Sequence, residues 1–227
     1  MRIAVAANMQ FAMEELVNDF EKISETKCEM VVGSSGKLMA QIKEGAPFNL
    51  FFSADMKYPE YLFRVDKTLD KPMVYALGEV VLWSIQKRDN FRLSDLVREE
   101  IKHIAIANPA TAPYGKAAQQ LLINSKMLDA VKEKLVYGES IGQTTQFVYS
   151  EAAEVGFVSK SMILSRRFQQ KGVWINLDKE LYMPIEQGVV VIKGEKREEQ
   201  KASEFLQFVQ SEKGRTILRK YGYFNIN

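Results

Sequence analysis

Short apolar runs alternate along this chain with longer stretches whose apolar residues recur at helical spacing. Ile3 to Ala7 reads as a buried strand. Met9, Ala12, Met13, Leu16, Val17 and Phe20 then mark one helix face, with Asn8 placed as its N-cap. A second strand covers Cys28 to Val32, and Leu38, Met39 and Ile42 predict a helix to about Glu44, where Gly45-Ala46-Pro47 stops it. Asn49 to Phe52 is a third strand, followed by a helical stretch through Tyr58, Tyr61 and Leu62. Alternation of this kind predicts an α/β fold with parallel strands and turns gathered at one sheet edge.

The pattern changes after Lys71. Met73 to Leu77 and Val80 to Trp83, punctuated by Gly78, form a longer apolar stretch that reads as a crossing into a second domain. There Ser94 is placed as the N-cap of a short helix, and Ile104 to Ala107 is a strand. The loop Asn108 to Lys116 enters a helix with Pro113 in its first turn, where a missing N–H costs nothing. Leu135 to Tyr137 is a strand, Gly138 to Gln143 leads into a helix carrying Phe147 and Val148, and Val155 to Val158 and Gly172 to Leu177 are strands. Met183 to Ile185 and Gly188 to Ile192 read as the return, and one charged C-terminal helix turns Phe205, Leu206, Val209, Ile217 and Leu218 inward. The expected lobes are residues 1–77 with 189–227, and 78–188, with crossings near 76–80 and 185–190.

Charge and composition narrow the class. Basic and acidic residues nearly balance, 31 against 29, and the basic ones are scattered, which argues against a nucleic-acid partner. The apolar runs fall well short of a membrane span. The single cysteine, Cys28, cannot form an internal disulfide and reads as a small apolar filler. The single histidine, His103, lies at a strand entrance without evident partners, so neither a structural zinc site nor Cys–His chemistry is expected. The chain opens on strand-like sequence with no basic segment or apolar leader before it, which fits a cytoplasmic protein or one whose signal peptide has been removed.

Four strand-to-helix turns share one chemistry: Ala7-Asn8, Ser34-Ser35-Gly36, Ala112-Pro113-Tyr114-Gly115 and Ser140-Ile141-Gly142. Each puts small or hydrogen-bonding residues where helix N–H groups have no intrahelical acceptor, at the positive end of a helix dipole. Such turns bind anions without charged side chains. If two lobes face each other across a cleft, four such N-termini converge on it. Lys37 and Lys116 flank two of the turns and read as solvated surface charge. A transferase using Ser35 as nucleophile would need a base that the sequence does not place nearby. An effector domain of a transcriptional regulator would be expected to carry a DNA-binding helix pair, which is absent.

The motifs Ala6-Ala7-Asn8, Gly33-Ser34-Ser35-Gly36-Lys37-Leu38, Gln41-Ile42 and Glu44-Gly45-Ala46-Pro47-Phe48-Asn49-Leu50-Phe51-Phe52-Ser53-Ala54-Asp55 resemble those of periplasmic molybdate-binding proteins. So do Ile106-Ala107-Asn108-Pro109, Ala112-Pro113-Tyr114-Gly115, Glu154-Val155-Gly156-Phe157-Val158 and Lys220-Tyr221-Gly222-Tyr223. The resemblance runs almost end to end. It implies a type II periplasmic binding protein of two α/β lobes, each a mixed, mostly parallel sheet flanked by helices, with the ligand in the inter-lobe cleft. It implies molybdate or tungstate, a metal oxyanion and not a cofactor, held by neutral donors at Ala7, Asn8, Ser34, Ser35, Tyr114 and Ile141. Ser159 stands where some relatives carry a tyrosine donor, with Thr144 and Tyr149 as substitutes to weigh. The implied role is that of a monomer, not an enzyme, periplasmic or lipid-anchored outside the inner membrane, delivering its anion to an ABC import permease. The alternative within this fold is another oxyanion, such as sulfate or phosphate, or a small organic acid.

Overall fold

A computed structural model describes residues 1–224; residues 225–227, expected in the first lobe, lie outside the described residues. The chain begins with β1 (Arg2–Ala6), a short 3-10 turn (Ala7–Met9), α1 (Gln10–Glu21), β2 (Glu29–Gly33), α2 (Ser35–Lys43), β3 (Leu50–Ser53), α3 (Lys57–Arg64) and β4 (Met73–Gly78). Then come β5 (Val80–Ser84), β6 (Ile104–Ala107), α4 (Pro113–Asn124), α5 (Leu128–Val131), β7 (Leu135–Gly138), α6 (Ile141–Tyr149), β8 (Val155–Ser159), α7 (Lys160–Ile163) and β9 (Val173–Asn176). Last are β10 (Ile185–Val191), α8 (Lys196–Gln210) and α9 (Glu212–Lys220). They divide into two compact units, Met1–Gly78 with Glu186–Asn227, and Glu79–Ile185.

The sheet of the first unit has the order β2-β1-β3-β10-β4. Both β2 and β3 run parallel to β1, and β10 runs antiparallel to β3. Successive side chains on a strand point to opposite faces, and the cores follow that period. Ile3, Val5, Leu50, Phe52, Val189 and Val191 pack in one core with Met13, Leu16 and Phe20 of α1, Phe205 of α8 and Leu218 of α9. Ala4, Phe51 and Val190 join Leu38 and Ile42 of α2 and Tyr58 and Leu62 of α3 in the other. Because helices cover both faces, the central strands β1 and β3 are buried and largely apolar on both sides instead of alternating, which is why they stand out in the sequence.

The second sheet has the order β7-β6-β8-β5-β9, with β6 parallel to β7 and β8 and β5 antiparallel to β8 and β9. Trp83 is fully buried on β5, and its indole N–H is satisfied by the Lys171 carbonyl at 2.8 Å. Both sheets are therefore mixed.

Three local expectations are corrected. The C-terminal helix is two helices, because Ser211 takes an extended conformation (ψ 164°) and caps α9 afresh. The short helix near Ser94 is a 3-10 turn over Leu93–Val97 whose N-cap is Arg92, with the Asp95 carboxylate accepting from the Arg92 N–H. Asn8 caps nothing with its side chain: it lies inside the 3-10 turn, and α1 begins two residues later.

Candidate functional site

Parallel pairing fixes where the turns of the first unit lie. Ala6 pairs with Gly33, and Val5 pairs with both Val32 and Phe52, so the turns after β1, β2 and β3 leave the sheet at one edge. In open α/β sheets this carboxyl edge is where ligands bind.

At the second of these turns Ser34 is the N-cap of α2, with an extended backbone (φ −73°, ψ 146°). A serine so placed ordinarily accepts a hydrogen bond from an N–H of the first helical turn. This one does not. Its residue is 4% exposed, and its Oγ is buried with no hydrogen-bond partner among the described residues. The first main-chain bond of the helix runs from Leu38 N–H to Ser34 O at 3.0 Å, so the N–H groups of Ser35 and Gly36 have no intrahelical acceptor. Ser35 Oγ accepts from the Ala54 N–H at 2.9 Å. A hydroxyl that already accepts retains its proton for donation. The turn therefore presents hydroxyls and main-chain N–H groups together, with no local acceptor committed to them.

The Ala7-Asn8 turn is buried alongside. The Asn8 amide donates to Gln187 Oε1 at 2.8 Å and to Tyr223 Oη at 2.7 Å. Both of its amide protons are thus engaged inside the unit, and any donor that Asn8 gives an anion comes from the backbone. At the third turn the Asp55 carboxylate accepts from Ser53 Oγ at 3.2 Å and from the Tyr58 N–H at 3.4 Å, which turns this acid toward the start of α3.

The second unit repeats the arrangement with main-chain donors. Ala107 pairs with Gly138, and the Asn108 N–H reaches the Gly138 carbonyl at 2.8 Å, which brings the turns before α4 and α6 together. A Cβ on Gly115 would run into the Ala107 carbonyl, so only glycine lets α4 start this close to β6. The regular ladder of α4 begins with Lys116 N–H to Ala112 O at 3.1 Å, placing the Tyr114 main chain in the first turn ahead of it. At α6, Ser140 Oγ accepts from the Gln143 N–H at 3.3 Å, Gln143 Oε1 accepts from the Glu139 N–H at 2.6 Å, and the ladder begins at Thr144. The Ile141 N–H falls outside all these bonds. Thr111 Oγ1, in the turn before α4, is another buried hydroxyl oxygen without a partner among the described residues.

Of the substitutes for a tyrosine donor, Thr144 has its proton committed, whereas Ser159 and Tyr149 accept hydrogen bonds and keep theirs. Ser159 is fully buried, and its Oγ accepts from Ser161 Oγ at 3.1 Å. Thr144 Oγ1 donates to the Ser140 carbonyl at 3.0 Å. Tyr149 Oη accepts from Lys171 Nζ at 2.7 Å, a hydrogen bond that holds the phenol below its usual range. Lys37 and Lys116 are exposed. Cys28 is half-buried, and burial pushes its thiol up to about 11, so it is protonated at neutral pH. Among the described residues no group of three or more His, Cys, Asp or Glu is placed to hold a metal ion, and no helix is long and apolar enough to cross a membrane.

Sequence reasoning missed Gln187 and the part played by Tyr223. Gln187 stands beside the exposed Glu186 at the start of β10, so its full burial carries no signal in sequence.

Residues 1–224 match the family described as bacterial extracellular solute-binding protein. The molybdate-binding protein ModA of Azotobacter vinelandii is 36% identical over 98% of this chain and 89% of its own length. ModA of Rhodobacter capsulatus is 33% identical over 97% of this chain and 86% of its own. The solved periplasmic molybdate-binding protein of Azotobacter vinelandii superposes with a TM-score of 0.94 at 33% identity, covering 100% of both chains.

Proposed function

The chain belongs to the bacterial extracellular solute-binding protein family, among its periplasmic molybdate-binding members, and from that premise we propose that it binds molybdate, and tungstate with it, for delivery to an ABC import permease. The observation that carries this reading is Ser34. A buried serine hydroxyl at a helix N-terminus, with no partner among the described residues and no cap bond, is the feature an oxyanion would complete.

Ala7, Asn8, Ser34 and Ser35 supply the donors of the first unit, and the Tyr114 and Ile141 main chains those of the second. Ser159 accepts from Ser161 and keeps its own proton, so its buried hydroxyl stands as a further donor of the second unit. Each hydrogen bond to a charged group contributes about 1.5–3 kcal/mol, so several neutral donors offset the dehydration of a dianion. No carboxylate belongs to the donor set, and no lysine is needed in it. An anion that takes donors from both units favours the arrangement in which both reach it. That ligand-bound form is the one a permease would read. The protein acts by binding and release, with no catalytic step and no cofactor.

Calorimetry with molybdate, tungstate and sulfate at equal ionic strength tests the reading. Submicromolar binding of molybdate and tungstate, with sulfate much weaker, is expected. Sulfate binding as tightly as molybdate would assign the site to another oxyanion, and an absence of heat and thermal shift with molybdate would overturn the reading.

A further inference from the structure

The oxyanion turns of the first unit are not independent. Tyr223 Oη donates to the Asn8 carbonyl at 3.0 Å and accepts from Asn8 Nδ2 at 2.7 Å. Asn8 Nδ2 also donates to Gln187 Oε1 at 2.8 Å, Gln187 Nε2 donates to the Ala54 carbonyl at 3.4 Å, and the Ala54 N–H donates to Ser35 Oγ at 2.9 Å. The bonds form one buried chain, Tyr223–Asn8–Gln187–Ala54–Ser35, joining the turns after β1, β2 and β3 through β10 and the C-terminal segment.

The direction of this chain is fixed by its own chemistry. The Tyr223 hydroxyl has one proton, and the Asn8 carbonyl takes it, so the Asn8 amide must present its NH2 to Tyr223. That NH2 requires the oxygen of Gln187, which leaves the Gln187 NH2 for the Ala54 carbonyl. Both amide orientations thus follow from backbone carbonyls that cannot turn. At the far end, the Ala54 N–H occupies a lone pair of Ser35 Oγ and leaves the Ser35 proton to be donated.

A buried amide on an apolar strand is costly unless both of its ends are bonded. A leucine or methionine at position 187 would carry no such cost. Gln187 bears that penalty in full, since none of its surface reaches solvent; one end bonds to Asn8 of an anion turn and the other to Ala54, whose N–H holds Ser35 Oγ. The geometry points to Gln187 and Tyr223 as positioning residues for the oxyanion site: neither touches the ligand, and together they hold the Ala7-Asn8 backbone and the Ser35 hydroxyl in their donating orientations. This rests on the proposed oxyanion function.

The test is a double-mutant cycle read by molybdate calorimetry, with thermal melts of each unliganded variant alongside. Gln187→Met keeps the side-chain volume and removes both bonds; it is expected to weaken molybdate binding about tenfold. Added to Ser35→Ala, it is expected to weaken binding by only about threefold more, because its route through Ser35 is then already lost and only its bond to Asn8 remains. Tyr223→Phe removes one hydroxyl and is expected to weaken binding about threefold to tenfold. Affinities within about twofold of wild type in Gln187→Met and Tyr223→Phe would overturn the inference. So would a Gln187→Met loss retained in full on top of Ser35→Ala, the outcome of a general loosening of the unit. If Gln187→Met gives no cooperative melt, Tyr223→Phe decides alone by the same criterion. Wild-type protein that fails to bind molybdate would overturn the functional reading itself, and is told apart because the variants are then irrelevant to it.

Discussion

Ser34 and Ser211 are the same residue doing the same local job with opposite outcomes. Each precedes a nine-residue helix, and each has an extended backbone, φ −73° and ψ 146° at Ser34 against φ −64° and ψ 164° at Ser211. Ser211 Oγ accepts from the Gly214 N–H at 3.2 Å and donates to the Phe208 carbonyl at 2.6 Å, so both functions of its hydroxyl are used. Ser34 is the more deeply buried of the two and its hydroxyl bonds to nothing among the described residues. A serine at a helix start is therefore no evidence of a ligand. What marks a ligand site is a buried donor for which the chain supplies no acceptor.

The comparison is sharpened first at Ser35, where the largest effect is expected. Ser35→Ala removes a proposed anion donor and also strands the buried Ala54 N–H, so both affinity and stability should fall, each by about 1–3 kcal/mol. Calorimetry and denaturant unfolding of one sample read the two losses. Ser34→Ala should separate them: molybdate affinity falls by about 1.5–3 kcal/mol while unfolding stability holds or rises, since an unpaired buried hydroxyl is removed. Ser211→Ala should do the reverse, costing about 1 kcal/mol of stability through the lost cap and leaving affinity unchanged. Equal stability losses at Ser34 and Ser211 would erase the distinction between them.

The smallest expected effect is that of pH on binding. The donors are hydroxyls and main-chain N–H groups, so molybdate affinity should vary by less than about twofold across neutral pH. Stability, by contrast, should depend on acid through Glu79. Burial raises its pKa, but hydrogen bonds and charge from Lys160 and Lys179 lower it more, and the carboxyl lies below its usual range. The unfolded chain then binds this proton more readily than the folded one. The contribution is complete above the ordinary carboxylate range and is lost as pH falls through the lowered value. Glu79→Gln should flatten the acid side of the stability profile without altering neutral-pH affinity, and an unchanged profile would remove Glu79 from the account.

The strands were legible because helices cover both faces of the first sheet. Ile3, Val5 and Phe52 feed one core while Ala4 and Phe51 feed the other, and the resulting apolar runs are unmistakable in sequence. The serine turn was legible as a strand end followed at once by a helical pattern. Asn8 has the local appearance of a cap, a polar residue before a helical stretch, but its side chain bonds elsewhere. Its actual partners, Gln187 and Tyr223, lie 179 and 215 residues away. Local periodicity carries no information about them. The break at Ser211 is marked by the capping serine and by a change of apolar face, since Leu218 lies nine residues and so a half-turn out of phase from Val209; a reading of one continuous helix overlooks that shift.

The central claim is that an oxyanion completes the unpaired end of α2. A crystal grown with molybdate and measured at the molybdenum absorption edge tests it most directly. The account predicts an anomalous peak at the N-terminus of α2, with a ligand oxygen within hydrogen-bond distance of Ser34 Oγ. A molybdenum peak elsewhere, with Ser34 Oγ still unpaired, would contradict it.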